Sequence, residues 1–154
     1  MVEVGKKAPA FTLPTENGDK VSLKDFKGRM LVLYFYPKDD TPGCTKEAIG
    51  FSDMLDEFEA AGASVLGVSK DTPEKHAKFR AKHKFTVPLA SDEEGTMIEK
   101  YGSWVEKNMY GKTYMGIERS TFLIGPDGKV LEVWRKVRVP GHVEKVLEAV
   151  KAAS

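Results

Sequence analysis

The sequence contains one cysteine among its 154 residues, and this residue is Cys44. An internal disulfide needs two thiols, so none can form in this chain. A lone, reduced thiol is typical of proteins that work inside the cell, and we therefore expect a cytoplasmic protein. The first residues, MVEVGKKAPAF, also lack the apolar core of a secretory signal peptide, which supports the same expectation.

Long apolar runs and an excess of one charge are absent as well. No run approaches the ~20 apolar residues that cross a bilayer, so no membrane partner is expected. Lys and Arg number 24 against 23 Asp and Glu, and this balance argues against nucleic acid as the main partner. The 3 histidines and the cysteine lack the spacing of metal ligands, and no glycine-rich phosphate loop is present. We therefore expect no metal and no bound cofactor.

Apolar runs alternate with amphipathic segments, which is typical of an α/β domain. Two continuous runs, 30–36 (MLVLYFY) and 63–69 (ASVLGVS), predict strands that are covered on both faces. Shorter apolar runs and amphipathic segments predict two further strands at 86–90 and 120–124, and helices at 42–61, 73–84, 94–101 and 141–153.

Two turn signals predict β-hairpins. Asn17-Gly18 divides residues 11–23, and a Gly-Pro-Asp-Gly turn separates 120–124 from 129–134. The helix at 42–61 joins its two flanking strands as a βαβ unit, which should be parallel and right-handed. We therefore expect a single domain over 1–154 with a central mixed sheet, flanking helices and an N-terminal hairpin.

Cys44 lies at the predicted start of a helix. With Thr41 as N-cap, Pro42 is the first helical residue, and the hydroxyl of Thr41 could accept a hydrogen bond from the first turn. The unpaired amides there favour a thiolate over a thiol, and Gly43 leaves space beside the sulfur. The helical spacing also directs Cys44 towards the sheet, which leaves an inert core cysteine as the alternative. The carboxyl end of a parallel strand, however, is where α/β sheets place their chemistry.

The run PKDDTPGC, residues 37–44, resembles the peroxiredoxin active-site pattern P-x-x-x-T-x-x-C. The longer run FYPKDDTPGCTKEA is similar to the bacterioferritin-comigratory protein, or PrxQ, branch of that family. GKKAPAFTLP, SVLGVSKDTPEKHAKF and GIERSTFLIGPDGKV extend the resemblance over nearly the whole chain. It implies a thioredoxin-like fold and thiol-dependent reduction of hydrogen peroxide and organic hydroperoxides.

The resemblance also implies roles for individual residues. Cys44 matches the peroxidatic cysteine, which becomes a sulfenic acid, and Thr41 matches the threonine whose hydroxyl contacts the sulfur and the peroxide. Pro37 matches the proline that shields the pocket, and Arg119 matches an arginine from a distant strand. Amides at Gly43 and Cys44 would add donors towards the charge that develops on the leaving oxygen.

The sequence departs from the family in its resolving cysteine. Ile49 occupies one usual position, and residues 79–81, reading FRA, occupy the other. We therefore expect a one-cysteine mechanism, in which thioredoxin, glutaredoxin or a small thiol reduces the sulfenic acid; whether a second cysteine was lost naturally or by engineering stays open. The resemblance favours a monomer.

Two alternatives remain open. The first is a thioredoxin-fold binding or chaperone module without turnover. The second is a Cys–His hydrolase, for which His76, His83 and His142 are available. Nothing in the sequence brings a histidine to Cys44, and we expect His76 and His83 to lie on the exposed side of their helix.

Overall fold

A five-stranded mixed sheet lies at the centre of residues 2–154, the part of the chain that the computed structural model describes. In chain order the strands are β1 (Thr12–Pro14), β2 (Lys20–Ser22), β3 (Met30–Phe35), β4 (Ala63–Ser69), β5 (Leu89–Ser91), β6 (Trp104–Met109), β7 (Lys112–Ile117), β8 (Ser120–Ile124) and β9 (Val130–Trp134). The helices are α1 (Pro42–Asp53), α2 (Leu55–Ala60), α3 (Pro73–His83), α4 (Thr96–Lys100) and α5 (His142–Ala153).

The strands of the central sheet have the order β5-β4-β3-β8-β9. The first three are parallel to one another, whereas β8 is antiparallel to β3 and β9 is antiparallel to β8. β1 with β2 and β6 with β7 form separate two-stranded hairpins. The predicted mixed sheet with an N-terminal hairpin is therefore confirmed.

Strand β3 occupies the middle of the sheet, and all of its side chains are buried. Successive side chains of a strand point to opposite faces, so each face receives its own apolar set. Tyr34 stacks on Phe51 of α1 with ring centroids 4.6 Å apart, while Phe35 meets Phe122 on the other face at 5.7 Å. Burying one such side chain contributes about 1.5–3 kcal/mol, which explains why an uninterrupted apolar run forms this strand.

The helix predicted over 42–61 is two helices in the structure. Met54 has φ −105° and ψ 8°, so α1 ends at Asp53 and α2 begins at Leu55. No glycine or proline stands at this break, and the sequence therefore gives no signal for it. The other three predicted helices are confirmed, with ends displaced by about one or two residues.

The strand predicted at 86–90 begins later than expected. The amides of Thr86 and Val87 donate to Oγ of Ser52, at 3.1 and 2.9 Å, instead of joining the sheet. Pro88 has no amide proton to offer a neighbouring strand. As a result β5 covers only Leu89–Ser91.

The hairpin of β6 and β7 was not predicted. Its strands read WVEKNM and KTYMGI, in which charged residues interrupt the apolar alternation. The turn between them places Tyr110 at φ 53° and Gly111 at φ 80°, as a tight two-residue hairpin turn requires. In the sequence, the glycine of the Tyr110-Gly111 pair is the feature that indicates this turn.

The N-terminal hairpin also covers the edge of the central sheet. Thr15 forms an isolated antiparallel bridge with Ala90 of β5, and the amide of Glu16 donates to the carbonyl of Leu89 at 3.3 Å. The outer edge of β5 is therefore paired with residues of the same chain.

Gly67 gives a test of the packing in the sheet. It lies opposite Tyr34 in the β3–β4 register, and a Cβ at position 67 would approach the ring carbon Cζ to 2.6 Å. We expect Gly67→Ala to destabilise the fold by about 1–3 kcal/mol, because overpacking forces the ring to move. Urea denaturation measures this loss, with Ser64→Ala on the same strand as the control. Equal stability of the two variants would contradict this account of the packing.

Candidate active site

The start of α1 places Cys44 in the protein interior. Thr41 has extended backbone angles (φ −104°, ψ 153°) and is the N-cap, Pro42 opens the helix, and Cys44 is its third residue. The thiol side of this turn faces the sheet, and only 2% of Cys44 is exposed. The predicted position of the cysteine at a helix start is confirmed.

Arg119 reaches the sulfur from a part of the chain 75 residues away, and its Nη2 donates to Sγ of Cys44 at 3.3 Å. The register of the sheet explains this approach. Phe35 at the end of β3 pairs with Ser120 at the start of β8, so Arg119 lies beside the loop that leads to α1. The two residues that the sequence pattern singled out are in contact.

Glu47 completes the contact on the other side of the guanidinium. It follows Cys44 by one helical turn, has no exposed surface, and accepts a hydrogen bond from Nη1 of Arg119 at 2.6 Å. Burial raises the pKa of Glu47 to about 7, although the neighbouring guanidinium acts in the opposite direction. Arg119 therefore bridges a buried carboxyl group and a buried sulfur.

Two opposed effects act on the guanidinium itself. Burial lowers the pKa of Arg119, but Glu47 and the Cys44 sulfur both raise it, and the net shift is upward. The cation is thus stabilised by the two groups that it joins. Glu47 was not identified from the sequence. It could have been found as an acidic residue on the same helical face as Cys44 and Phe51, both of which are buried.

The hydroxyl of Thr41 does not cap the helix, which corrects the sequence prediction. It donates to the carbonyl of Lys38 at 2.8 Å, and α1 has no side-chain cap at this position. The bond closes the loop that precedes α1, so Thr41 stabilises this loop. The contact of Thr41 with the sulfur and with peroxide stays a prediction.

Pro37 and Arg119 both line a cleft of about 390 Å³ at the surface. Val105 and Val137 contribute further apolar walls, and Lys107 also lines the cleft. Because Arg119 also contacts the Cys44 sulfur, this cleft adjoins the thiol. Gly43 leaves room for the guanidinium, since a Cβ there would lie 3.1 Å from Nη2 of Arg119.

Of the two histidines expected on the exposed side of α3, His83 is half-buried and His76 lies in the interior. His76 has no exposed surface and lies 2.6 Å from a carboxylate oxygen of Asp39, so the expected exposed position was wrong. His142 is also buried and shares a hydrogen bond of 2.8 Å with Thr121. Burial, with a smaller contribution from Arg119, lowers the pKa of His142 to about 4.

Within residues 2–154 no histidine hydrogen-bonds to Cys44, and the structure gives the Cys–His hydrolase no support.

Residues 2–154 contain no cluster of His, Cys, Asp or Glu side chains that could hold a metal ion. In the same residues, no helix has the length and apolar character needed to cross a membrane.

The chain is similar to known proteins over nearly its whole length. Residues 4–133 match the AhpC/TSA family. The chain is 53% identical to the putative peroxiredoxin bcp of Coxiella burnetii, over 95% of this chain and 97% of the relative. It is 47% identical to peroxiredoxin Bcp of Bacillus subtilis, over 99% and 98% of the two chains. A solved structure of the Xanthomonas campestris bacterioferritin comigratory protein superposes with a TM-score of 0.91 at 45% identity, covering 98% of this chain and 99% of that one.

A thioredoxin-like sheet that presents a cysteine at a helix start, beside an arginine, defines the class of thiol peroxidases, and the predicted thioredoxin-like fold is confirmed. Within this class the chain belongs to the Bcp/PrxQ family of peroxiredoxins.

Cysteine content separates this chain from one of those relatives. Two solved structures of Xanthomonas campestris peroxiredoxin Q carry serine in place of two different cysteines. This chain has Cys44 alone. A mechanism that joins two cysteines within one chain is therefore not available to it.

Gly43 allows the role of the guanidinium to be tested. We expect Gly43→Ala to displace Arg119 from the sulfur and to slow the reaction of Cys44 with peroxide about tenfold, equivalent to 1.4 kcal/mol. Stability should change little, because the guanidinium has to give by only a few tenths of an ångström and its Nη1 can keep the hydrogen bond to Glu47. Stopped-flow kinetics and urea denaturation measure the two effects, with the exposed Lys46→Ala on the same helix as the control. A slow variant that is also unfolded would contradict the explanation.

Glu47 predicts a pH dependence of stability. Its pKa is raised from 4.5 to about 7 in the folded protein, mainly by burial. Between these pH values the folded state binds a proton that the unfolded state has lost, so the stability of the wild type should fall as pH rises through this window. Glutamine at position 47 cannot titrate. The free energy of unfolding of Glu47→Gln should therefore decrease less than that of the wild type over this pH range.

The measurement is the free energy of unfolding in urea from pH 4 to 8 for both proteins. Glu57→Gln, an exposed position on α2, serves as the control and should parallel the wild type. If Glu47→Gln also parallels the wild type throughout, the pKa of Glu47 is not raised.

Proposed function

We propose that Cys44 is the residue that attacks the peroxide in this thiol peroxidase. Three features support this role: the position at the start of α1, the burial of the sulfur, and the donor at 3.3 Å from Arg119. The helix start and the guanidinium both stabilise negative charge on sulfur. The contact between Arg119 and Cys44 is the observation that carries the proposal.

The reaction follows from these groups. The thiolate of Cys44 attacks one oxygen of the peroxide, the O–O bond breaks, and sulfur gains that oxygen as a sulfenic acid. The second oxygen leaves with the bonding electron pair and takes up a proton, as water or an alcohol. Arg119 and the amides of Gly43 and Cys44 donate towards the oxygen on which charge develops. Pro37 shields the pocket from one side, and Thr41 contacts the peroxide from the loop.

The substrate class is hydrogen peroxide and organic hydroperoxides. Alkyl peroxide reduction is described for the Xanthomonas campestris relative. The cleft beside Arg119 supports the same class here, because Pro37, Val105 and Val137 offer an apolar wall to an alkyl group. Lys107 and Glu118 also line the cleft, and their charged groups would favour contact with the polar peroxide end of such a molecule over its alkyl part.

Recycling requires a thiol from outside the chain. A sulfenic acid on Cys44 condenses with such a thiol to a mixed disulfide and water, and a second thiol then releases Cys44. The reductant is a small thiol, a glutaredoxin or a thioredoxin, and the presence of a single cysteine supports this assignment. We further propose a cytoplasmic monomer in which residues 1–154 form one domain, with no nucleic-acid or membrane partner and no bound cofactor.

Rapid kinetics test the assignment of Cys44 and Arg119. Pre-reduced wild type mixed with hydrogen peroxide should lose its thiol much faster than free cysteine does. Cys44→Ser should show no peroxidase activity while remaining folded. Arg119→Leu should react about 10²–10³ times more slowly, the usual loss for one donor to a developing oxyanion. Arg29→Leu, an exposed arginine near the opposite end of β3, should react like the wild type.

The same experiment tests the alternative of a binding or chaperone module. A thiol in the wild type that reacts no faster than free cysteine would support that module and refute the enzyme. Mass spectrometry after peroxide and each candidate thiol then identifies the reductant by the adduct that forms on Cys44.

A further inference from the structure

A buried carboxyl group lies in the middle of the loop that joins β3 to α1. Asp39 is 8% exposed, and each of its oxygens has a partner. The hydroxyl of Tyr36 donates to Oδ1 at 2.6 Å, and Nδ1 of His76 lies 2.6 Å from Oδ2. The amide of Asp39 donates to Asp71 at 2.8 Å. The loop is thus fixed at its centre through both its backbone and a side chain.

His76 holds Asp39 from helix α3 and has no exposed surface. Its Nε2 lies 3.0 Å from the carbonyl oxygen of Ala90. A carbonyl can only accept, so Nε2 carries a proton. One further proton must lie between Nδ1 and the Asp39 carboxyl group at their short separation. The imidazole therefore joins the loop to the edge strand β5 through two separate hydrogen bonds.

The loop fixed by this pair carries the residues around the sulfur. Residues 37–41 begin with Pro37, end with Thr41, and lead directly into the turn that holds Cys44. Removing His76 would leave Oδ2 of Asp39 buried without a partner, at a cost in free energy, although Tyr36 would still donate to Oδ1. The loop can avoid that cost only by moving Asp39 towards solvent, and Pro37 and Thr41 would move with it.

We propose that His76 is a positioning residue for peroxide reduction, which holds residues 37–41 against Cys44 through its contact with Asp39. This inference rests on the proposed function of Cys44. His76 itself touches neither the sulfur nor the cleft beside Arg119.

The neighbouring residue provides a matched comparison. Asp40 is exposed, and Lys82 and His83 of the same helix contact it at 2.6 and 2.7 Å. Exposed ion pairs contribute little to stability, and Lys82 retains its contact with Asp40 when His83 is removed. His83→Ala is therefore a control with the same residue type, the same helix and the same loop.

Three substitutions at position 76 separate its two hydrogen bonds. His76→Asn retains a donor near the position of Nδ1, and so towards Asp39. His76→Gln retains a donor near the position of Nε2, and so towards Ala90. His76→Leu retains neither. Each variant is measured for its reaction with hydrogen peroxide by stopped-flow, for alkylation of Cys44 by iodoacetamide, and for folding by circular dichroism.

We expect His76→Leu and His76→Gln to react with hydrogen peroxide at least about tenfold more slowly than wild type, because small displacements of a positioning loop are costly. His76→Asn should recover to within about threefold of the wild-type rate, and His83→Ala should match the wild type. Alkylation should not fall in any variant, because movement of residues 37–41 towards solvent opens the way to the buried sulfur. This difference between the two reactions distinguishes positioning from a general loss of structure.

Three results would overturn the inference: wild-type peroxide rates in all three variants, equal recovery by Gln and Asn, or a parallel fall of both reactions. Should His76→Leu fail to fold, the comparison of Asn with Gln decides the question by itself. A wild type that reacts slowly would refute the proposed function of Cys44 instead, so the two failures are distinguishable.

Discussion

The contact between the guanidinium of Arg119 and the sulfur of Cys44 is the interaction on which the site depends. The sulfur is buried and the Arg119 side chain is only 16% exposed, while the buried Glu47 lies on the far side of the same guanidinium. In such surroundings a charge without a partner costs several kcal/mol, so the three groups have to be present together. The antiparallel register of β3 and β8 brings them together, and a slip of one residue would turn Arg119 to the other face.

Much of this arrangement could be predicted because it follows from local rules. The uninterrupted apolar run of β3 predicts a central strand, and the order Thr41, Pro42, Cys44 predicts a helix start with a thiol in its first turn. The role of Arg119 could not be predicted from local rules. Nothing in the residues around Arg119 indicates a distant sulfur, and only the resemblance to peroxiredoxins identified it. The contact depends on strand register, which a local pattern does not determine.

Two of the errors concern polar side chains whose hydrogen-bond partners the sequence did not indicate. His76 lies on a lysine-rich helix and was expected in solvent, yet its partners are Asp39 and a carbonyl of a separate strand. Thr41 was expected to cap α1, but the carbonyl of Lys38 takes its hydroxyl proton. A buried polar side chain is favourable only when it has a hydrogen-bond partner, and for His76 that partner, Asp39, lies 37 residues away in the sequence.

The bridge between Thr15 and Ala90 has a consequence for assembly. An unpaired edge strand invites addition of a strand from a second molecule, by which sheets aggregate or exchange segments. Here the N-terminal hairpin takes that place on β5, and the carbonyl of Leu89 is already bonded to Glu16. On the same strand, the carbonyl oxygen of Ala90 accepts a hydrogen bond from His76 of α3. Intermolecular sheet extension along this edge would first require the protein to release its own N-terminal segment.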